Sequence, residues 1–66
     1  MDVVINGEHK RVTPGASLLD VLSQLELDPR AVVVEHNRRI VRRPALGVVT
    51  VNEGDAIELV HFVGGG

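Results

Sequence analysis

The sequence predicts an α+β fold, in which one main helix covers a mixed sheet of four to five strands. Three observations support this prediction: an Asn6-Gly7 hairpin signal near the start, a single amphipathic helical stripe after it, and short apolar runs in the second half. A helix with one apolar stripe must bury that stripe against another element, here one face of a sheet. The 66 residues allow a single small domain.

The first two strands form a hairpin. Val3 to Ile5 is a β-branched run that is typical of a strand. Asn6 and Gly7 both tolerate the positive φ that a two-residue hairpin turn needs. The return strand, Glu8 to Val12, is mostly polar, which favours an exposed edge position. Pro14-Gly15 then fits the centre of a type II turn.

The helix follows that turn. It begins at Ser17, which together with Asp20 three residues later resembles a capping box. The apolar residues after Ser17 have the i, i+3, i+4, i+7 spacing of one buried stripe. They are Leu18, Val21, Leu22 and Leu25, together with Leu19, which widens the stripe. We expect Asp28-Pro29 to end the helix, because the residue before a proline avoids helical geometry.

The second half contains the remaining strands. Val32 to Val34 is a continuous apolar run, which predicts a central strand buried on both faces. Ile40-Val41 and Val48 to Val51 predict two short strands, and Ala56 to Phe62 predicts the last one. The first hairpin and the last strand are natural sheet neighbours with the helix as crossover, which is the β-grasp, or ubiquitin-like, arrangement. We therefore expect a domain of residues 1–62 and a flexible tail of residues 63–66.

Composition argues against several classes of function. The chain has no cysteine, which excludes disulfides, thiolate catalysis and cysteine-ligated metal sites. Its net charge of −2 and its lack of Trp and Tyr argue against a dedicated nucleic-acid-binding surface. His9, His36 and His61 lack metal-ligand spacing, so no metal site is predicted. Neither a signal peptide nor an apolar run of roughly 20 residues is present, so we expect a cytoplasmic protein with no membrane contact.

The last strand contains a candidate docking surface for a partner protein. Ile57 and Leu59 share one face of this strand, and Val60 and Phe62 share the other, because side chains alternate along a strand. Once Ile57 and Leu59 face the helix, Val60 and Phe62 point away from it, beside Val63. These apolar residues are predicted to dock a partner. The alternative is that strand twist or a loop covers them and that they belong to the core.

The glycine tail is the predicted reactive segment. Gly64 and Gly65 have no Cβ and can therefore thread into a cleft that any side chain would block. The carboxylate of Gly66 is ionised at neutral pH and can attack the α-phosphate of ATP to form an acyl-adenylate. The chain contains no glycine-rich phosphate loop, so a partner enzyme must bind ATP and magnesium. The alternative is an ordinary disordered terminus.

Several segments together carry a family resemblance. They are Asn6-Gly7, Leu18 to Leu22, Val34-Glu35-His36-Asn37 with Ile40-Val41, Gly54-Asp55, and the terminal run from Glu58 to Gly66. Through these segments the whole chain resembles the ThiS family, the bacterial sulfur carrier proteins of thiamine biosynthesis. The terminal run is the most specific part of the resemblance.

The resemblance implies partners and a mechanism. An E1-like, ThiF-like adenylyltransferase adenylates the carboxylate of Gly66, and a cysteine desulfurase route supplies the sulfur that converts it to a thiocarboxylate. A ThiG-like thiazole synthase then takes that sulfur to build the thiazole. The chain itself is then a protein co-substrate that binds no cofactor, and it is not an enzyme.

Three other functions remain open from the sequence. The sulfur carrier subunit of molybdopterin synthase shares the fold and the Gly-Gly end, although that family tends to be longer and to have proline in its tail. An RNA-associated β-grasp module is suggested by the Thr13 to Ser17 segment and by a basic cluster of arginines. The alternative is that this basic cluster is only a solvated loop face. A modifier conjugated to target lysines is the third. The basic cluster consists of Arg38, Arg39, Arg42 and Arg43.

Overall fold

A computed structural model describes residues 1–62 of the chain. Within these residues one sheet has five strands in the order β2-β1-β5-β3-β4. The strands are β1 (Asp2–Ile5), β2 (Glu8–Arg11), β3 (Val32–His36), β4 (Arg39–Val41) and β5 (Ala56–His61). Strands β1 and β5 are parallel, and the other neighbours are antiparallel. One α-helix, α1 (Leu18–Gln24), accompanies the sheet, as predicted for an α+β fold.

The hairpin of β1 and β2 follows from its turn residues. Asn6 has φ 50° and Gly7 has φ 82°, and positive φ at both central positions matches the right-handed twist of the flanking strands. All four residues of β2 are exposed, and the strand lies at one edge of the sheet. Charged side chains along such an edge protect it against pairing with other chains. The predicted polar edge strand is confirmed.

The start of helix α1 is confirmed, but its predicted end is wrong. Ser17 and Asp20 form a capping box, with bonds of 2.9 and 3.0 Å between side chain and backbone. The helix ends at Gln24 and not at Asp28, because Glu26 adopts a φ of 59°. The amide of Leu27 then bonds the carbonyl of Leu22, which closes the C-terminus in a Schellman motif. Leu19 is 41% exposed and does not belong to the core, which also differs from the prediction.

The predicted strand from Val48 to Val51 is wrong. Among the described residues this segment contributes a single bridge, between Ser17 and Thr50. The amides of Val48 and Val49 bond the carbonyl of Ala45 in a turn, and are therefore not available to a neighbouring strand. The carbonyl of Val49 accepts a hydrogen bond from the amide of Leu18, so the loop caps the first turn of the helix.

Strand β3 is an interior strand of the sheet, as predicted, and β5 is the middle one of the five described strands. Strand β3 lies between β5 and the edge strand β4. Val32 and Val34 are buried, whereas Val33 is only half-buried, so the expectation of burial on both faces is wrong. Val33 alternates with these two residues and therefore lies on the face of the sheet that points away from the core. We call this the outer face.

The core fills the space between helix α1, the loop after it and the inner face of the sheet. No polar or charged side chain is buried among the described residues. The buried residues are Val3, Ile5, Val12, Ala16, Leu18, Val21, Leu22, Val32, Val34, Leu46, Val51, Ile57 and Leu59. This single cluster positions β5 with one face inward and the other toward solvent.

Candidate functional site

Strand β5 and the residue that follows it present two apolar side chains to solvent shortly before the tail. Ile57 and Leu59 are buried against the core, while Val60 is 59% and Phe62 is 55% exposed. This alternation follows from the period of two along a strand. The amide of Phe62 donates to the carbonyl of Ala31 at 3.0 Å, so the chain remains attached to the sheet up to this residue.

The register of the sheet adds two apolar neighbours that the sequence did not predict. Val33 lies directly opposite Val60, and Ile40 lies opposite Glu35, one position further along the same face. Ile40 is 68% exposed. We call Val33, Ile40, Val60 and Phe62 the outer apolar patch. Exposed apolar residues clustered on one face are typical of a protein interaction site.

Two carboxylates lie on the same face as the outer apolar patch. Glu35 and Glu58 are direct cross-strand partners in β3 and β5. Among residues 1–62 neither side chain has an ion-pair or hydrogen-bond partner. Like charges directly opposite one another on a sheet are destabilising. The outer face therefore combines exposed apolar area with an uncompensated negative charge.

A polar network holds the other end of β5. The Nε2 atom of His36 and Oδ2 of Asp55 are 2.6 Å apart, and both side chains are partly buried. The backbone amide of Asn52 and the side chain of Asn37 also donate to the Asp55 carboxylate, at 2.8 and 3.1 Å. Burial opposes ionisation of Asp55, but these hydrogen bonds outweigh it and hold the pKa of Asp55 below its ordinary value.

This network contains no hydroxyl or thiol group that could act as a nucleophile. It lies at the start of β5, whereas the tail follows the end of that strand. The carboxylate of Asp55 accepts from groups on two loops and one strand. Its arrangement therefore joins the β3–β4 turn to the entry of β5. We assign it a structural role.

The chain matches a known protein family over almost its whole length. The model of the ThiS family matches residues 3–66. This chain belongs to the ThiS family. The sulfur carrier protein ThiS of Bacillus subtilis strain 168 is 38% identical over 50 residues, which cover 76% of each of the two chains. The predicted family resemblance is confirmed.

A solved structure of a ThiS-family protein confirms the β-grasp fold. The structure of the thiamine biosynthesis protein ThiS from Geobacter metallireducens has a TM-score of 0.86 at 33% identity, with complete coverage of both chains. A thiazole synthase of Paramagnetospirillum magneticum is 41% identical over 66 residues. The chain spans 20% of the length of that thiazole synthase.

The structure describes only part of the predicted site of this ThiS-family member. Val60 and Phe62 lie together on the outer face, and their role in docking stays a prediction. The other predicted site residues lie outside the described residues, and these are Val63, Gly64, Gly65 and Gly66. The four arginines of the basic cluster are exposed, and their binding partner is also untested.

Within residues 1–62, no group of three or more His, Cys, Asp or Glu residues is arranged to hold a metal ion. Over the same residues, no helix has the length and apolar character needed to cross a membrane.

Proposed function

We propose that this chain is a sulfur carrier of thiamine biosynthesis and that the Gly66 carboxylate carries the sulfur. The observation that carries the proposal is the match to the ThiS family, which extends through the terminal glycines to residue 66. The outer apolar patch supports it, because exposed apolar residues of this kind are typical of an interaction site and Val60 and Phe62 closely precede the tail in the sequence.

The proposed reaction first activates the carboxylate of Gly66 and then replaces the activating group by sulfur. An E1-like adenylyltransferase binds ATP and Mg²⁺, and a carboxylate oxygen of Gly66 attacks the α-phosphate while pyrophosphate leaves. The outer sulfur of a persulfide from a cysteine desulfurase route then attacks the acyl carbon, and AMP leaves. A thiol next cleaves the S–S bond of this acyl disulfide, so that the donor leaves as a mixed disulfide and the thiocarboxylate stays on Gly66. The chain has no cysteine that could hold a persulfide, so the sulfur must be carried by the terminal carbonyl group.

The tail residues suit delivery into a partner's active site. Four extended residues, Val63 to Gly66, reach at most about 13 to 14 Å. Glycine has no Cβ, so a thread of glycines fits a channel that excludes other residues. The folded domain can therefore stay outside the partner while Gly66 reaches the bound ATP.

The sulfur acceptor in the proposal is thiazole synthase. A segment 41% identical to this whole chain occurs within a polypeptide that is named a thiazole synthase. That occurrence supports a physical association between a carrier domain of this kind and thiazole synthase. In the proposal, the outer apolar patch and Val63 dock the domain on these partners, while Gly64 and Gly65 thread the tail.

Intact-mass spectrometry tests the proposal directly. The purified chain is incubated with an E1-like partner, ATP, Mg²⁺ and a sulfur source, and a second sample lacks ATP. We expect the mass to rise by the difference between sulfur and oxygen only with ATP, and fragmentation to locate the change at Gly66. An unchanged mass, with a partner that modifies its own carrier under the same conditions, would falsify the carrier function.

Gly65→Ala tests the threading step separately. The variant should fold like the wild type, since the core lies within residues 1–62, but its adenylation should be impaired because a Cβ enters the channel. Circular dichroism checks the fold, and pyrophosphate release measures adenylation. Normal adenylation of this variant would refute the steric role of glycine without affecting the carrier function.

A further inference from the structure

We propose that Asn6 is a positioning residue, which fixes the end of strand β5 and thereby the direction in which the tail leaves the domain. The inference rests on the proposed function, in which Gly66 must reach a partner's active site. Asn6 lies in the β1–β2 turn and is separated from the end of β5 by more than fifty positions in the sequence.

The side chain of Asn6 binds both backbone groups of one residue in β5. Its Oδ1 atom accepts from the amide of Leu59 at 2.7 Å, and its Nδ2 atom donates to the carbonyl of Leu59 at 3.2 Å. Both bonds are partly buried. The backbone amide of Asn6 also donates to the carbonyl of Ile57 at 2.9 Å. One residue therefore holds two successive inward-facing positions of β5.

These bonds continue a ladder that the backbone of β1 no longer supplies. The parallel pairing of β1 with β5 ends at Ile5 and Ile57, because the chain turns away at Asn6. Further along β5 the next backbone groups on that side belong to Leu59. The amide side chain offers one donor and one acceptor, as a peptide group does. Asn6 therefore replaces the missing strand residue.

Asparagine at this position does more than the turn requires. A two-residue hairpin turn of this type accepts Asp or Gly as readily as Asn before Gly7. Neither alternative supplies both a donor and an acceptor from its side chain at neutral pH. The turn alone therefore does not explain Asn6, whereas the pair of bonds to Leu59 does.

The end of β5 depends on this contact. On one side, β3 supports it through the pairing of Val32 with His61 and through the bond from Phe62 to Ala31. On the β1 side, the Asn6 side chain provides the last hydrogen bonds given by the described residues. Without them, Leu59 to Phe62 would be attached along one edge only. The docking residues Val60 and Phe62 lie in this segment, where they remain attached to β3, and the tail follows it in the sequence.

Asn37 provides a matched control at the other end of the same strand. It has the same φ of 50° in the β3–β4 turn. Its Oδ1 atom accepts from the amide of Ala56 at 2.9 Å, and its backbone amide donates to the carbonyl of Ala56 at 2.8 Å. A turn asparagine thus binds each end of β5, but only Asn6 does so beside the tail.

The test compares Asn6→Gly with Asn37→Gly. Glycine keeps the positive φ of each turn and removes only the side-chain bonds. Adenylation by the E1-like partner is measured with the carrier as the varied substrate. For Asn6→Gly we expect kcat to fall about ten- to a hundredfold, because a small misplacement of a reacting group has effects of this size. Its KM should stay within about twofold, and Asn37→Gly should keep both constants within about twofold of the wild type.

Amide hydrogen exchange, measured by NMR, provides a readout that does not depend on any enzyme. Asn6→Gly should accelerate exchange at Leu59 and Phe62, while Asn37→Gly should do so at Ala56. Loss of kcat together with this localised exchange supports the proposal. An unchanged kcat, a change confined to KM, or equal kcat losses in both variants overturns it. A wild-type chain that is not adenylated at all argues against the proposed function, and the exchange data alone then decide whether Asn6 holds β5.

A second variant protects the test against misfolding. If Asn6→Gly does not fold, the same measurements are made on Asn6→Asp, which keeps the turn preference and the acceptor for the Leu59 amide but loses the donor. Reduced kcat with retained KM again supports the proposal, and wild-type kcat overturns it.

Discussion

The two ends of strand β5 are held by different means and present different surfaces. At its start, Asp55 accepts hydrogen bonds from His36, Asn37 and the amide of Asn52, of which the bond from His36 is partly buried. At its end, the side chain of Asn6 supplies a pair of bonds on one side, and β3 supplies the pairing of Val32 with His61 and the bond from Phe62 to Ala31 on the other. The start therefore has more side-chain hydrogen bonds than the end.

This difference separates stability from recognition within a single strand. The start of β5 ties together the β3–β4 turn and the loop before the strand, and its exposed apolar side chain is only the small methyl group of Ala56. The end carries Val60 and Phe62 on the outer face next to the tail. Segments that must engage partners are commonly drawn from the less firmly held parts of a fold. The predictions below test this separation.

The largest expected effect contrasts the two faces of β5. Ile57→Ala removes a side chain that is 1% exposed, and we expect it to lower the free energy of unfolding by about 2 to 5 kcal/mol. Val60→Ala on the outer face should cost less than about 1 kcal/mol. Urea denaturation followed by circular dichroism measures both, since the chain has no Trp or Tyr. Equal losses would mean that the outer face is covered.

The network at the start of β5 should show a pH-dependent contribution. Asp55→Asn should lower the free energy of unfolding at pH 7 by about 1 to 3 kcal/mol, because it disrupts partly buried hydrogen bonds to a charged group. The pKa of Asp55 is lowered in the folded state, so its contribution is complete above the ordinary carboxyl pKa of about 3.9. It is lost as the pH falls through the lower folded value.

The measurement is a series of urea denaturations from neutral pH into acid. The stability difference between the wild type and Asp55→Asn should shrink as the solution becomes more acidic. Asp2→Asn is the control, since it removes only an exposed pair with Arg11 at 3.6 Å and should change stability by less than about 1 kcal/mol. A stability difference that does not depend on pH would contradict the assignment for Asp55.

Local signals in the sequence predicted the hairpin and the start of the helix. Asn6-Gly7 and Ser17 with Asp20 act within a few residues, and their conformations follow from short-range sterics and hydrogen bonds. The end of the helix was predicted too late because Glu26, and not a glycine, takes the left-handed conformation. The strand predicted at Val48 to Val51 fails because its backbone groups bind a turn and the helix.

The site was predictable where it depends on alternation and unpredictable where it depends on register. Val60 and Phe62 follow from the period of two along β5. Ile40 joins them only through the pairing of three strands, which no local pattern contains. The contact of Asn6 with Leu59 spans most of the chain, so in the sequence Asn6 indicates a turn and nothing more.

The end of β5 should matter for docking and not for folding. We expect Phe62→Ala to raise the KM of the E1-like partner for the carrier about tenfold, since buried aromatic residues carry much of an interface's binding energy. Its free energy of unfolding should change by less than about 1 kcal/mol. Val48→Ala is the matched control, because Val48 is 79% exposed but lies in the loop beside the helix. An equal rise in KM for both variants would show that the patch is not the docking surface.

The smallest expected effect concerns the charges beside the outer apolar patch. Glu58→Gln removes the repulsion between Glu58 and Glu35, so the free energy of unfolding should rise by about 0.2 to 1 kcal/mol. Glu35→Gln should give a similar gain, and the double variant should add little to either single one, because both remove the same repulsion. Fully additive gains would show that the two carboxylates do not interact.

The same variants connect this repulsion to recognition. A pair of carboxylates that lowers stability adds negative charge beside an apolar surface, and such charge favours a partner with a complementary basic group. We therefore expect Glu58→Gln to raise the KM for the carrier slightly and to weaken its dependence on salt, while the fold becomes more stable. A variant that is more stable and also binds more tightly would show that the partner's surface is not basic. A gain in the free energy of unfolding together with a higher KM would show that the carboxylate of Glu58 lowers the stability of the fold and improves docking.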